Sequence, residues 1–151
     1  MPPHTLTAVE TAVRRSWSVE TCDPADAAQW TGENPALGQC GSTALVVQDL
    51  MGGELLSAEV QHADGSRQGW HNWNRLPGGL EIDLTREQFR AGEVIKTPNV
   101  VARRGPLPGR AVEEYLRLRA SVLTELGLPL PHPPNGADGR SMRTQSMSPL
   151  K

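Results

Sequence analysis

The chain is short of cysteine, with two in 151 residues, Cys22 and Cys40. That number is too small for a disulfide scaffold and makes a structural zinc site improbable, since such sites draw on several thiolates. In a reducing compartment both thiols are expected to be free; a Cys22 to Cys40 disulfide stays open otherwise. An excess of charge is missing too: 15 basic against 17 acidic residues leave a formal charge of -2, without the basic footprint of a nucleic-acid binder. No apolar run nears the roughly 20 residues that span a bilayer, and the start lacks the apolar core of a secretion signal. The expectation is therefore a cytoplasmic protein with neither nucleic acid nor membrane as partner. Internal repeats are absent, and His4, His62 and His132 show no metal-ligand spacing.

What is present is a thiol, an imidazole and a carboxylate in a suggestive order. These are Cys40 in Gly38-Gln39-Cys40, His71 in Trp70-His71-Asn72-Trp73-Asn74, and Asp83 in Glu81-Ile82-Asp83-Leu84-Thr85. A cysteine is only a few per cent thiolate at neutral pH, so a nucleophilic one needs an imidazole to take its proton. The imidazole in turn is oriented by a group that accepts a hydrogen bond from its second nitrogen. Cys40, His71 and Asp83 fit those roles. Taken singly, each has a plainer reading: Cys40 as a small core residue, His71 as a structural hydrogen-bonder, Asp83 as a cap of the next helix.

Periodicity places them on elements. Leu6, Val9 and Val13 predict a helix over Thr5 to Arg15, capped by Thr5. A loop follows through Ala36, with a helical turn around Asp23 to Trp30 and with Trp17 and Trp30 anchoring it to the core. Ala44-Leu45-Val46-Val47 with Leu50 and Met51 reads as a buried helix stopped by Gly52-Gly53, a strand being the competing reading. Cys40 then lies in its first turn, where partial positive charge favours a thiolate and free amides can hold an oxyanion. Residues 54–60, 68–76 and 80–84 predict an antiparallel meander with turns at Asp64-Gly65 and Pro77-Gly78-Gly79. A loop centred on Pro77 sets His71 directly opposite Asp83. On that pattern Trp73 shields the imidazole and Trp70 faces the other way into packing. Thr85 to Phe89 begins a short helix capped by Thr85, and 111–126 is a strongly periodic helix ended by Gly127. The expected organisation is one domain over 1–130 and a disordered Pro-, Gly- and Ser-rich tail over 131–151.

The arrangement of a helix-borne cysteine, a strand carrying His and then Trp, and a next strand ending Asp-Leu-Thr resembles the core of transglutaminase and papain-like thiol enzymes. More closely, Ser16-Trp17-Ser18, Gly38-Gln39-Cys40, Thr43 to Asp49, Gly52 to Leu55, His71 with Trp73 to Pro77, and Asp83 to Arg86 with Gln88-Phe89 resemble the YunG family of small bacterial proteins. The resemblance spans about Ser16 to Phe89. It implies an α+β fold with a papain/transglutaminase-like core, a nucleophile helix packed on an antiparallel β-meander with flanking helices. It also implies Cys40 as nucleophile, His71 as base and acid, and Asp83 as orienting residue. Asn72 departs from the pattern, where an aromatic residue is expected. Gln39, with Trp73 and Asn74 lining the cleft, completes the expected substrate-binding set; whether the Gln39 side chain reaches an oxyanion is left open, the backbone amide of Cys40 being the safer donor because Gln39 adjoins the cysteine. The resulting expectation is a thiol hydrolase or acyltransferase that needs no cofactor or metal and acts on a small-molecule or peptide amide, ester or thioester, in a biosynthetic setting. Two rivals are a non-catalytic binding module on the same fold and a redox-sensing thiol in which Cys22 resolves oxidised Cys40. The sequence does not fix the oligomeric state.

Overall fold

The computed structural model describes residues 4–131, and the expected tail lies outside them save for Pro131. Among the described residues, three α-helices and a five-stranded antiparallel sheet make up an α+β fold. Helix α1 (Leu6–Ser16) starts where Thr5 accepts a hydrogen bond from the Ala8 amide at 3.1 Å. Its apolar stripe buries Val9 and Val13 completely. Helix α2 (Cys40–Met51) ends at Gly52, whose φ of 75° suits a residue without a Cβ. The next residue, Gly53, turns the chain so closely into the sheet that a Cβ there would lie 2.2 Å from the Arg75 carbonyl oxygen. Helix α3 is Val112–Glu125. It meets α1 and α2 through Tyr115, Leu118 and Val122, which share one core with Val9, Val13, Trp17, Val46, Val47 and Leu84. Burying each aliphatic side chain contributes about 1.5–3 kcal/mol.

The meander forms as its turn signals indicate. Strand β1 (Glu54–Gln61) pairs with β2 (Arg67–Arg75) from Glu54 opposite Arg75 to Val60 opposite Gly69, with a bulge before the turn at Asp64-Gly65. Strand β3 (Glu81–Ile82) pairs with β2 only at Asn74 and Arg75. Its register is centred on Gly78, one residue beyond the expected Pro77, so Asp83 continues past the strand toward Trp73 and reaches His71 on the diagonal. Moving the turn centre by one residue changes the pairing by two, so parity, and with it the shared face, survives. Two short strands, β4 (Val94–Ile95) and β5 (Asn99–Val101), line up end to end on the outer edge of β1 and have no counterpart in the sequence reading.

The short β3 matters for the site. Beyond Asn74 the outer edge of β2 is unpaired by β3, and the N-terminus of α2 and the segment after Asp83 occupy the space beside it. Asn74, fully inside, donates from its side-chain amide to the Ala44 carbonyl at 2.9 Å and ties α2 to the sheet. Among the described residues no helix is long and apolar enough to cross a membrane.

Candidate functional site

Cys40 is the first residue of α2 and is partly exposed. The first backbone bond at this end runs from the Thr43 amide to Gln39 at 2.9 Å, so the amides of Cys40, Gly41 and Ser42 are the donors a helix leaves over. Gly38 before it adopts φ +70°, and a Cβ there would sit 2.5 Å from the Cys22 sulfur. Glycine therefore lets the loop pass close enough to deliver Cys40 to the sheet edge.

His71 is buried on β2, with only 1% of its surface exposed. Its ring lies between Trp73, stacked at 5.4 Å with an interplanar angle of 23°, and Phe89, edge-on at 4.5 Å. Nε2 is 2.6 Å from Asp83 Oδ2. The second oxygen of Asp83 accepts from the Thr85 amide at 3.1 Å and the Thr85 hydroxyl at 3.2 Å. Asp83 thus orients the imidazole and shapes the following turn at once, and the expected side-chain cap from Thr85 is replaced by this one.

The thiol and imidazole bias each other. Burial pushes the Cys40 thiol up, but hydrogen bonding and charge attraction from His71, with backbone and side-chain donation from Asn72, outweigh it and lower its pKa. For His71, burial works against the charged form; the hydrogen bond to Asp83 and the attraction of Cys40 overcome that and raise its pKa to about 9. Asn72 Nδ2 lies 3.9 Å from Cys40 Sγ. Cys22 behaves oppositely. It is buried, its S–H faces the Leu37 carbonyl at 3.2 Å, and desolvation, with the nearby Asp26 and Asp23, drives it up to about 11. Both cysteines are free thiols.

A cleft of about 740 Å³ opens over this centre, with Cys40, His71, Asn72, Trp70, Gln88 and Phe89 in its wall. The opposite wall is the loop before α3. It is clamped by Arg103, which holds Asp49 at 2.6 Å, and by Arg110, which holds Asp23 at 2.8 Å.

The structure brings Cys40, His71 and Asp83 together, but it keeps the expected substrate-binding residues out of the cleft. Gln39 is fully buried; its side chain accepts from Thr21 at 2.8 Å and donates to Ser18 at 2.9 Å, binding the loop before α2 in place of an oxyanion. Trp73 packs under His71 with Leu56 and Ala58, and Asn74 is spent on Ala44. Trp70, expected in packing, is 56% exposed at the cleft, with Arg67 over its ring. Sequence reasoning assigned no role to Asn72, Gln88 or Phe89. Their only signal was membership in the family pattern or departure from it, because their approach to Cys40 and His71 is set by long-range packing.

The family model described as YunG protein matches residues 5–127. A curated relative, "Uncharacterized protein YunG" of Bacillus subtilis (strain 168), is 37% identical over 83 residues, which cover 55% of this chain and 62% of the relative. The aligned region thus spans less than two thirds of that relative's length. No solved structure matches. The chain belongs to the YunG family.

Proposed function

We propose that this protein is a cysteine-dependent acyl-transfer enzyme with a papain/transglutaminase-like centre: a nucleophile at a helix N-terminus, a base on an antiparallel strand and a carboxylate following the next strand. The observation that carries the reading is the line from Cys40 through His71 to Asp83 at one wall of a cleft, with Nε2 held at 2.6 Å by the carboxylate. That bond leaves Nδ1 as the nitrogen available to the thiol.

The steps follow from the donors present. The Cys40 proton moves to His71 Nδ1, and Sγ attacks the carbonyl carbon of an amide, ester or thioester. The oxyanion is met by the Cys40 amide at the start of α2 and by the Asn72 side-chain amide. Collapse of the adduct expels the amine, alcohol or thiol, which takes its proton from His71, and leaves an acyl-thioester on Cys40. Water or an amine then gives its proton to His71, attacks the thioester and releases the product, restoring the thiol. A cleft of about 740 Å³ suits a small molecule or an exposed peptide end. A cytoplasmic, biosynthetic setting completes the proposal.

Nothing in the surroundings of Cys22 favours the redox alternative, since a resolving thiol needs thiolate character and exposure, and Cys22 has neither. The test is trapping. Protein mixed with a panel of activated esters and thioesters is expected to gain the acyl mass at Cys40 within the dead time of manual mixing. Cys40→Ala should abolish the adduct. A folded wild-type protein that never acylates at Cys40 across the panel would leave the binding-module reading in its place.

A further inference from the structure

The second nitrogen of His71 has a neighbour that the acyl-transfer steps do not use. Gln88 Nε2 lies 3.1 Å from Nδ1 and 3.2 Å from Thr85 Oγ1. One hydrogen assignment satisfies all of these contacts at once with Asp83 as a carboxylate. A carboxylate only accepts, so the Thr85 hydroxyl spends its single hydrogen on Asp83 Oδ1, and His71 donates from Nε2 to Asp83 Oδ2. The Thr85 oxygen is then an acceptor toward Gln88, which fixes the amide with its NH2 group inward. That NH2 faces Nδ1 and demands a bare lone pair there. That contact favours the neutral tautomer with Nδ1 open, against the pull of Asp83 and Cys40 toward the charged ring.

An imidazolium would point an Nδ1 hydrogen at the same NH2 group, donor against donor. Asp83, on the segment after β3, and Cys40, on α2, favour the charged ring; Gln88, on the turn at Arg86–Gln88, opposes it. The remaining faces of the ring meet Trp73 and Phe89, which carry no charge. The turn that bears Gln88 is itself fixed, because Glu87 pairs with Arg14 of α1, whose guanidinium also reaches the Leu84 carbonyl at 3.2 Å. Gln88 therefore opposes the ion pair from a braced position.

We propose that Gln88 is a positioning residue that restrains proton transfer from Cys40 to His71 through its amide at Nδ1. The inference rests on the Cys40 to His71 reading above. The transfer is internal: the proton leaves Sγ, arrives on Nδ1, and no other reactant is required. The site is kept nearer the neutral thiol than it would be without the Gln88 amide, while Asp83 and Cys40 still favour the charged ring.

The experiment is the pH dependence of Cys40 alkylation by iodoacetamide, read by peptide mass, in wild type, Gln88→Ala, Gln88→Met and His71→Ala. Gln88→Met keeps the bulk of the side chain without its amide, and near-ultraviolet circular dichroism checks that each variant is folded. Loss of the amide is expected to move the alkylation midpoint to lower pH and raise the rate at pH 6 about three- to tenfold, the size of one hydrogen bond acting on one protonation state. A midpoint that stays in place or moves up in folded Gln88→Met overturns the restraint. If the wild-type midpoint also ignores His71→Ala, the Cys40 to His71 reading fails with it; if it responds to His71→Ala and not to Gln88→Met, the restraint alone is wrong.

Discussion

Two polar networks pin loops against helices in this protein, one around Arg103 and one around His71, and they differ in whether anything is left over. Arg103 spends all five guanidinium donors: on Gly105, on Gln48 and Asp49, and on Pro106 and the Tyr115 hydroxyl. The Tyr115 hydroxyl passes its own hydrogen to Asp49. Every partner is protein, so the network can do nothing but hold α2, α3 and the cleft wall in register. Around His71 the bonding is as dense, yet the Cys40 sulfur stands in the cleft with a lowered pKa and the amides of the α2 N-terminus beside it. A saturated network is architecture; a network that ends on a nucleophile facing a cavity is chemistry.

The largest expected contrast lies between the two thiols. Cys22, pushed up to about 11 by burial and nearby carboxylates, carries about a thousandth of its population as thiolate at pH 8, whereas Cys40 lies below the ordinary thiol range. Competitive alkylation at pH 8, read by peptide mass, is expected to label Cys40 at least a hundredfold faster. Equal labelling in the folded protein would erase the distinction.

Arg103→Ala sharpens the comparison from the other side. It leaves Asp49 without its cation and uncouples the cleft wall, so stability is expected to fall by about 2 kcal/mol in denaturant unfolding. The pH midpoint of Cys40 alkylation should stay where it is, because no atom of that network touches His71. A midpoint shift in the folded variant would show that the two networks are coupled and that the division drawn here is too clean.

These networks also mark how far the sequence could be read. Helices α1, α2 and α3 were legible because a 3.6-residue apolar period, a capping Thr5 and the stops at Gly52 and Gly127 act locally. The meander was legible from its turns, and the approach of His71 to Asp83 from their placement on neighbouring strands. Strands β4 and β5 were not, since Val94, Ile95, Val100 and Val101 are exposed and show no alternation; they are strands only because β1 offers an edge. The centre of the β2–β3 turn lies one residue later than expected, a two-residue change of pairing, because the Pro77-Gly78-Gly79 turn is set by Leu76 bonding Leu80, a geometry that composition does not specify. Gln39 next to Cys40 looked like chemistry and proved to be loop structure. Gln88, 17 positions from His71, carries no role in the sequence beyond the short helix after Thr85 and the family pattern, and lies against the His71 ring nitrogen. Adjacency in sequence says little about which polar atoms meet once the chain leaves regular elements.

The central claim, that Cys40 is activated by His71, is tested most directly by the rate of Cys40 alkylation against pH with and without His71→Ala. The pKa directions give a sign for each limb: reactivity rises as pH climbs through a Cys40 pKa below the ordinary value of 9.0, and the ion pair is lost as pH passes the His71 pKa of about 9. The account predicts a wild-type rise centred below the ordinary thiol value, and in folded His71→Ala a single rise displaced upward to the ordinary thiol range, with a lower rate at pH 6. A wild-type profile with one ordinary thiol titration, unchanged by His71→Ala, would contradict it.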